Sequence, residues 1–103
     1  RLKAEALALE RLGAFSLVLE CVPEALAEEI TDTLSIATIG IGAGAKTDGQ
    51  VLVITDLLGF DATFHPKFVR RYLEGYTTMS AAVNSFARDV RAGKFPAPGE
   101  ILA

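Results

Sequence analysis

Three short runs of this sequence are apolar at nearly every position: "AFSLVL" from Ala14, "IATIGI" from Ile36 and "VLVI" from Val51. None of them alternates in polarity. A half-solvated antiparallel strand alternates apolar-in and polar-out, whereas a strand that stays apolar throughout is buried on both faces, as in a parallel sheet covered by helices. Segments of helical spacing lie before, between and after these runs, and strand–helix–strand order means an α/β fold. Three strands with two buried faces need more helices than a chain of 103 residues has left to offer. The sequence is therefore expected to be a piece of a larger α/β protein.

The expected strands are 15–20, 37–41 and 51–54. Residues 1–12 form the first expected helix, with Leu2, Ala6, Leu9 and Leu12 at roughly helical spacing and Gly13 where a helix end favours a left-handed residue. No capping residue precedes it. A second helix spans 23–34: Pro23 suits its first position, Glu24 its positive end, and Leu26, Ile30 and Leu34 form one stripe. The connection "LLGFDATFHPKF" leads to a third helix over 66–74. A fourth spans 78–92, with Met79, Val83, Phe86 and Val90 expected inward and Gly93 closing it.

Composition excludes several functions. Net charge is −3 and pI is near 5.0, so no electrostatic case exists for nucleic acid or an anionic membrane. A single cysteine excludes a disulfide framework and a cysteine-rich metal site. No apolar run approaches the ~20 residues that cross a bilayer. Mean hydropathy is +0.35, high for a free-standing domain of this size. A soluble, cytoplasmic protein is expected.

The first candidate for chemistry is Glu20, a carboxylate ending an otherwise apolar strand. Carboxylates are almost never buried without a partner. At the C-terminal end of a parallel strand, Glu20 would face the crevice where α/β proteins bind ligands, and a partly buried carboxylate there suits general-base work. A solvated turn residue is the plainer alternative.

The loop "GIGAGAKTDG" invites two nucleotide readings. Gly40, Gly42 and Ala45 satisfy a loose dinucleotide pattern, and Lys46-Thr47 imitate the end of a phosphate loop. Both motifs must open a helix whose N-terminus holds phosphate, yet a strand follows within a few residues. A noncatalytic α/β binding module, using residues 40–44 for a phosphate or nucleotide, stands as the alternative function. His65 has no second histidine or organised carboxylate to make a metal site. Lys67, Arg70 and Arg71 could bind an anion but suit a solvated helix face better. Cys21 reads as a small packed residue, and Asp48 and Asp56 as turn formers.

Taken together, "LVLECVP", "SIATIGIGAGAKTDGQVLVITDLLG", "FHPKFVRRY" and "AVNSFARDVRAGKFP" resemble the C-terminal part of the ketopantoate hydroxymethyltransferase family over nearly the whole chain. The resemblance implies a (β/α)8 TIM barrel, of which this chain would supply about strands 6–8 with their flanking helices, completed by an upstream barrel segment. It implies transfer of a hydroxymethyl group from 5,10-methylenetetrahydrofolate to 3-methyl-2-oxobutanoate, giving 2-dehydropantoate on the route to pantothenate and coenzyme A. The family's proton acceptor is the glutamate of its "LECVP" motif, which is Glu20 here. A divalent metal, usually Mg2+, would be held by acids of the upstream strands, so no metal ligand is assigned in this chain. The family forms homo-oligomers, commonly decamers.

The chain departs from the family at Thr55-Asp56, where many members have His before the Asp, and in its tail from Ala97 onward. The link between the second and third strands is also short. Parallel neighbours usually need a crossover of about a dozen residues, so length alone favours a hairpin there, while the resemblance implies parallel strands.

Overall fold

The computed structural model describes residues 1–102. The chain divides into two compact units, Arg1–Val53 with Pro66–Val69, and Ile54–His65 with the residues from Arg70 onward.

The first unit is a layer of two helices on a parallel sheet. Its order is α1 (Leu2–Arg11), β1 (Ser16–Glu20), α2 (Glu24–Thr33), β2 (Ala37–Ile41) and β3 (Gly49–Gln50). α1 stops because Gly13 takes φ +101°, letting the Gly13 and Ala14 amides return to the carbonyls of Glu10 and Leu9. Pro23 caps α2 rather than opening it. The α2 stripe holds the core: Ile30 and Leu34 are buried with Ala6, Leu19, Ala27 and Ala43.

β1 and β2 pair in parallel from Ser16↔Ala37 to Glu20↔Ile41, and β2 pairs in parallel with β3. The short link does not force a hairpin, because β3 is only two residues long and faces Ile39 and Gly40. The chain leaving Ile41 must return about two residues, at ~3.3 Å each, rather than a full strand. Positive φ at Gly42 and Gly44 supplies the bends.

Several expectations require correction. The strand expected over 51–54 is absent: pairing ends at Gln50 apart from the Val51 amide to the Gly40 carbonyl, 3.0 Å, and Ile54–Leu57 is a short helix, α3. A strand exists by its ladder, and residues 51–53 have none, leaving Val51 and Val53 exposed. The helix expected over 66–74 is also absent. Its amides do not form a helical ladder: Val69 bonds to the Pro66 carbonyl in a single turn, and Tyr72 to the distant carbonyl of Leu57. Nor is the sheet buried on both faces. Leu19, Thr38 and Gly40 are buried toward the helices, whereas Val18, on the other face, is 59 % exposed.

The second unit contains α3 and α4 (Gly75–Arg91), followed by a 3₁₀ turn at Pro98–Glu100. α4 starts three residues before the expected position, because the Gly75 and Tyr76 amides are already anchored on Leu58 and Gly59. Its stripe of Met79, Val83, Phe86 and Val90, expected inward, is exposed. Phe86 meets Phe95 edge-on at 5.3 Å. Arg71 donates to the carbonyls of Asp61 and Phe64, which closes the loop between α3 and α4. Among the described residues, no helix is long and apolar enough to cross a membrane.

Candidate functional site

Glu20 is the last residue of β1 and stands beside Ile41, the last residue of β2. Neighbours in register point to the same side of a sheet and alternate along it. Glu20 therefore shares its face with Val18, Ile39 and Ile41, opposite the helices. This is the C-terminal edge of a parallel sheet, where α/β folds gather ligands. The carboxylate itself is exposed, not partly buried as expected.

The chain leaves Glu20 sharply. Cys21 has φ +53°, a left-handed backbone that costs an L residue about 1–2 kcal/mol, and its amide donates to the Ile41 carbonyl at 2.9 Å. That bond sews the end of β1 to the end of β2. Cys21 is exposed, so it does not act as the packed residue its size suggested.

The glycine loop is occupied by the protein's own groups. Glu24, in the first turn of α2, accepts the Ala45 amide at 2.8 Å. A Cβ on Gly44 would stand 2.5 Å from Glu24 Cγ and 2.7 Å from Glu24 Cβ. The Gln50 side-chain Nε2 donates to the Gly44 carbonyl and to Thr47 Oγ1, while the Thr47 hydroxyl donates to the Gly49 carbonyl. Lys46, the cation that would read a phosphate, lies 3.9 Å from Glu28. An open hollow of about 590 Å³ is lined by this loop and Phe68, but one of its donors, the Ala45 amide, is already taken by the Glu24 carboxylate. The loop is built to hold Glu24, which opposes a phosphate or nucleotide there.

Asp48 is more than a turn former. Its Oδ2 accepts the amide of Thr38, ten positions back, at 2.8 Å, and its own amide reaches Thr38 Oγ1 at 3.2 Å. Thr38 is fully buried, and its hydroxyl also meets Thr31 Oγ1 at 2.8 Å. Asp48 thus replaces the missing strand residues beside β2 and locks the loop in place. Sequence reading missed both Glu24 and Asp48 as loop anchors, since each had a sufficient local explanation.

The remaining candidates are not brought together. Arg71 is held by Asp61, Phe64 and Glu74. Arg70 donates to the Tyr72 hydroxyl and lies over its ring. The helix that would have aligned Lys67 with these two arginines does not form. His65 is exposed. Among the described residues, no group of three or more His, Cys, Asp or Glu side chains could hold a metal ion. This chain's described residues therefore do not fit the Mg2+ expected of the family.

Comparison with known proteins bears on this geometry. Residues 1–98 match the family model for ketopantoate hydroxymethyltransferase. The chain belongs to the ketopantoate hydroxymethyltransferase family. Two similar proteins, both named 3-methyl-2-oxobutanoate hydroxymethyltransferase, come from Chlorobium luteolum, 54 % identical over 96 residues, and Heliobacterium modesticaldum, 56 % identical over 98 residues. Those matches take in 93 % and 95 % of this chain. A protein of the same name from Francisella tularensis is 49 % identical over 92 residues, 89 % of this chain. The chain spans about a third of the length of these ketopantoate hydroxymethyltransferases, 35 % for Chlorobium and Francisella and 36 % for Heliobacterium.

Proposed function

We propose that this chain supplies the Glu20-bearing edge of a ketopantoate hydroxymethyltransferase barrel, about strands 6–8 of a (β/α)8 fold. The reaction is transfer of a hydroxymethyl group from 5,10-methylenetetrahydrofolate to 3-methyl-2-oxobutanoate. Glu20 takes the proton from C3 of the keto acid, the carbon next to the carbonyl. The C–H electron pair stays with the substrate as an enolate, and that carbon forms the new C–C bond to the methylene carbon, whose bonds to folate nitrogen break; water supplies the hydroxyl oxygen and tetrahydrofolate leaves. No step of this scheme runs through a residue-bound metal in this chain, and Mg2+ would rest on the upstream strands. The cytoplasmic location and the homo-oligomeric assembly, a decamer, follow from the same family reading.

The observation that carries the proposal is the place of Glu20, on the open sheet face at the C-terminal end of a parallel strand. A carboxylate needs reach and a free lone pair to accept a carbon-bound proton, and an exposed strand-end glutamate has both. The uncovered face around it, with Val18 59 % exposed, supports a sheet that continues into further barrel strands. In the full-length protein, Glu20→Gln lowers kcat by about 10²-fold or more, the scale for losing a positioned base, with KM for the keto acid within a few-fold. Wild-type kcat in the Gln variant would overturn the assignment.

A further inference from the structure

Two neighbouring strands end at one level and leave it in the same unusual way. Glu20 and Ile41 form the last rung of the β1–β2 ladder, and the next residue of each strand has positive φ, +53° at Cys21 and +64° at Gly42. Glycine adopts this backbone freely, whereas cysteine does so only where its surroundings enforce it. One enforcing contact is the Cys21 amide on the Ile41 carbonyl, 2.9 Å. The other is Phe68. A Cβ on Gly42 would lie 3.1 Å from the Phe68 ring and 3.3 Å from Cys21 Sγ, so the ring and the thiol both border Gly42. Phe68 reaches it from the Pro66–Val69 segment, which closes on the Val69 amide to the Pro66 carbonyl and is anchored by Val69, only 5 % exposed. The ring itself is 43 % exposed. It therefore adds little to the core, and its contact is with the turn.

We propose that Phe68 is a positioning residue for Glu20: its ring bears on Gly42, which also borders the Cys21 thiol, and so keeps the left-handed turn that aims the carboxylate. The inference rests on the reading of Glu20 as the proton acceptor. In the step it serves, the substrate C3–H bond breaks, the proton goes to a Glu20 oxygen, and the electron pair remains on the substrate as the enolate. Without the ring, Cys21 can relax out of its strained backbone, and Glu20, one bond along the chain, turns with it. Displacement of a reacting group by about 1 Å is enough to cost up to ~10²-fold in rate.

The test uses the full-length protein and three measurements: exchange of the C3 proton of 3-methyl-2-oxobutanoate into D2O without folate, KM for the keto acid, and hydrogen exchange of the Cys21 amide. For Phe68→Ala we expect C3 exchange to fall about 10-fold or more, KM to stay within about twofold, and the Cys21 amide to exchange about 10-fold faster. Phe68→Tyr, which keeps the ring, restores all three. Phe68→Leu serves if the alanine variant does not fold. A role in stability alone would lower Tm and leave the rate per folded molecule unchanged. Wild-type C3 exchange in Phe68→Ala or Phe68→Leu overturns the proposal, and so does a fall in rate with unaltered Cys21 amide exchange. If the wild-type protein exchanges no C3 proton, the reading of Glu20 fails and takes this inference with it, an outcome visible before any variant is made.

Discussion

Gly44, in the glycine loop, and Gly49, the first residue of β3, lie five residues apart, yet opposite results are expected from the same substitution. Gly44 has φ +80°, and a Cβ there would overlap the Glu24 side chain as far back as its Cβ, 2.7 Å away. Gly44→Ala therefore loses about 1–2 kcal/mol to the left-handed backbone. It also displaces Glu24 from the Ala45 amide, a charge-assisted bond worth about 1 kcal/mol at an exposed site. The sum is about 2–3 kcal/mol, and no side-chain rotation relieves it, because the overlap includes the Glu24 Cβ. At Gly49 φ is not positive, and the nearest atom to a new Cβ is 3.9 Å away. Gly49→Ala should stabilise by about 0.5 kcal/mol, by restricting the unfolded chain. Urea unfolding of each full-length variant, followed by far-UV circular dichroism, measures both values; this chain has no tryptophan. Equal stabilities within about 0.5 kcal/mol, the scatter of ordinary surface changes, would refute the argument that Gly44 exists to admit Glu24.

Inorganic phosphate at millimolar concentration should leave the amide resonances of residues 40–49 unmoved, because Glu24 already holds the loop; saturable shifts there would revive an anion site. Thr38→Val should cost about 1–2 kcal/mol in the same urea assay despite its matching shape, since it removes the hydroxyl that Thr31 and Asp48 share, and a cost near zero would show that the network adds nothing. The Asp61 carboxyl is held below its ordinary 3.8 first by the Thr63 amide, then by the Thr63 hydroxyl and the Phe64 amide. Because the folded pKa is the lower one, this turn gains stability above pH 3.8 and loses it as pH falls through the folded value. A Thr63 amide resonance titrating with a midpoint below 3.8 is expected, and a midpoint at or above it would contradict the assignment.

Much of the first unit is legible in the sequence for identifiable reasons. β2 occupies the apolar run that marks it, Ala37–Ile41, and β1 ends at Glu20, where the run meets a charge. Gly13 ends α1 because no other residue takes φ +101° so readily. The third strand misleads because Val51 to Ile54 has strand composition but lacks a ladder, and composition does not reveal whether a neighbour is present. The 66–74 segment misleads for the opposite reason: Lys67, Arg70 and Arg71 have helical spacing, but the Val69 amide closes a single turn on Pro66 and the Tyr72 amide goes to the distant Leu57 carbonyl. Glu20 could be picked out from its place alone. Its exposure could not, because a strand end of apolar composition looks the same whether its outer face is covered or, as here, open. Glu24 and Phe68 were hidden by position, one as an ordinary helix-start acid and the other inside a turn-rich connection.

The most direct test of the central claim follows a single proton. Full-length wild-type protein and its Glu20→Gln variant are each given 3-methyl-2-oxobutanoate in D2O without folate, and loss of the C3 proton signal is followed by NMR. Leaving folate out separates proton removal from one-carbon transfer, and the near-isosteric amide leaves the strand end intact. The account predicts exchange by the wild type and a fall of about 10²-fold or more in the variant, with keto-acid binding retained. Exchange at the wild-type rate in Glu20→Gln would contradict it, and Glu20 would then be a strand-end carboxylate with no part in the chemistry.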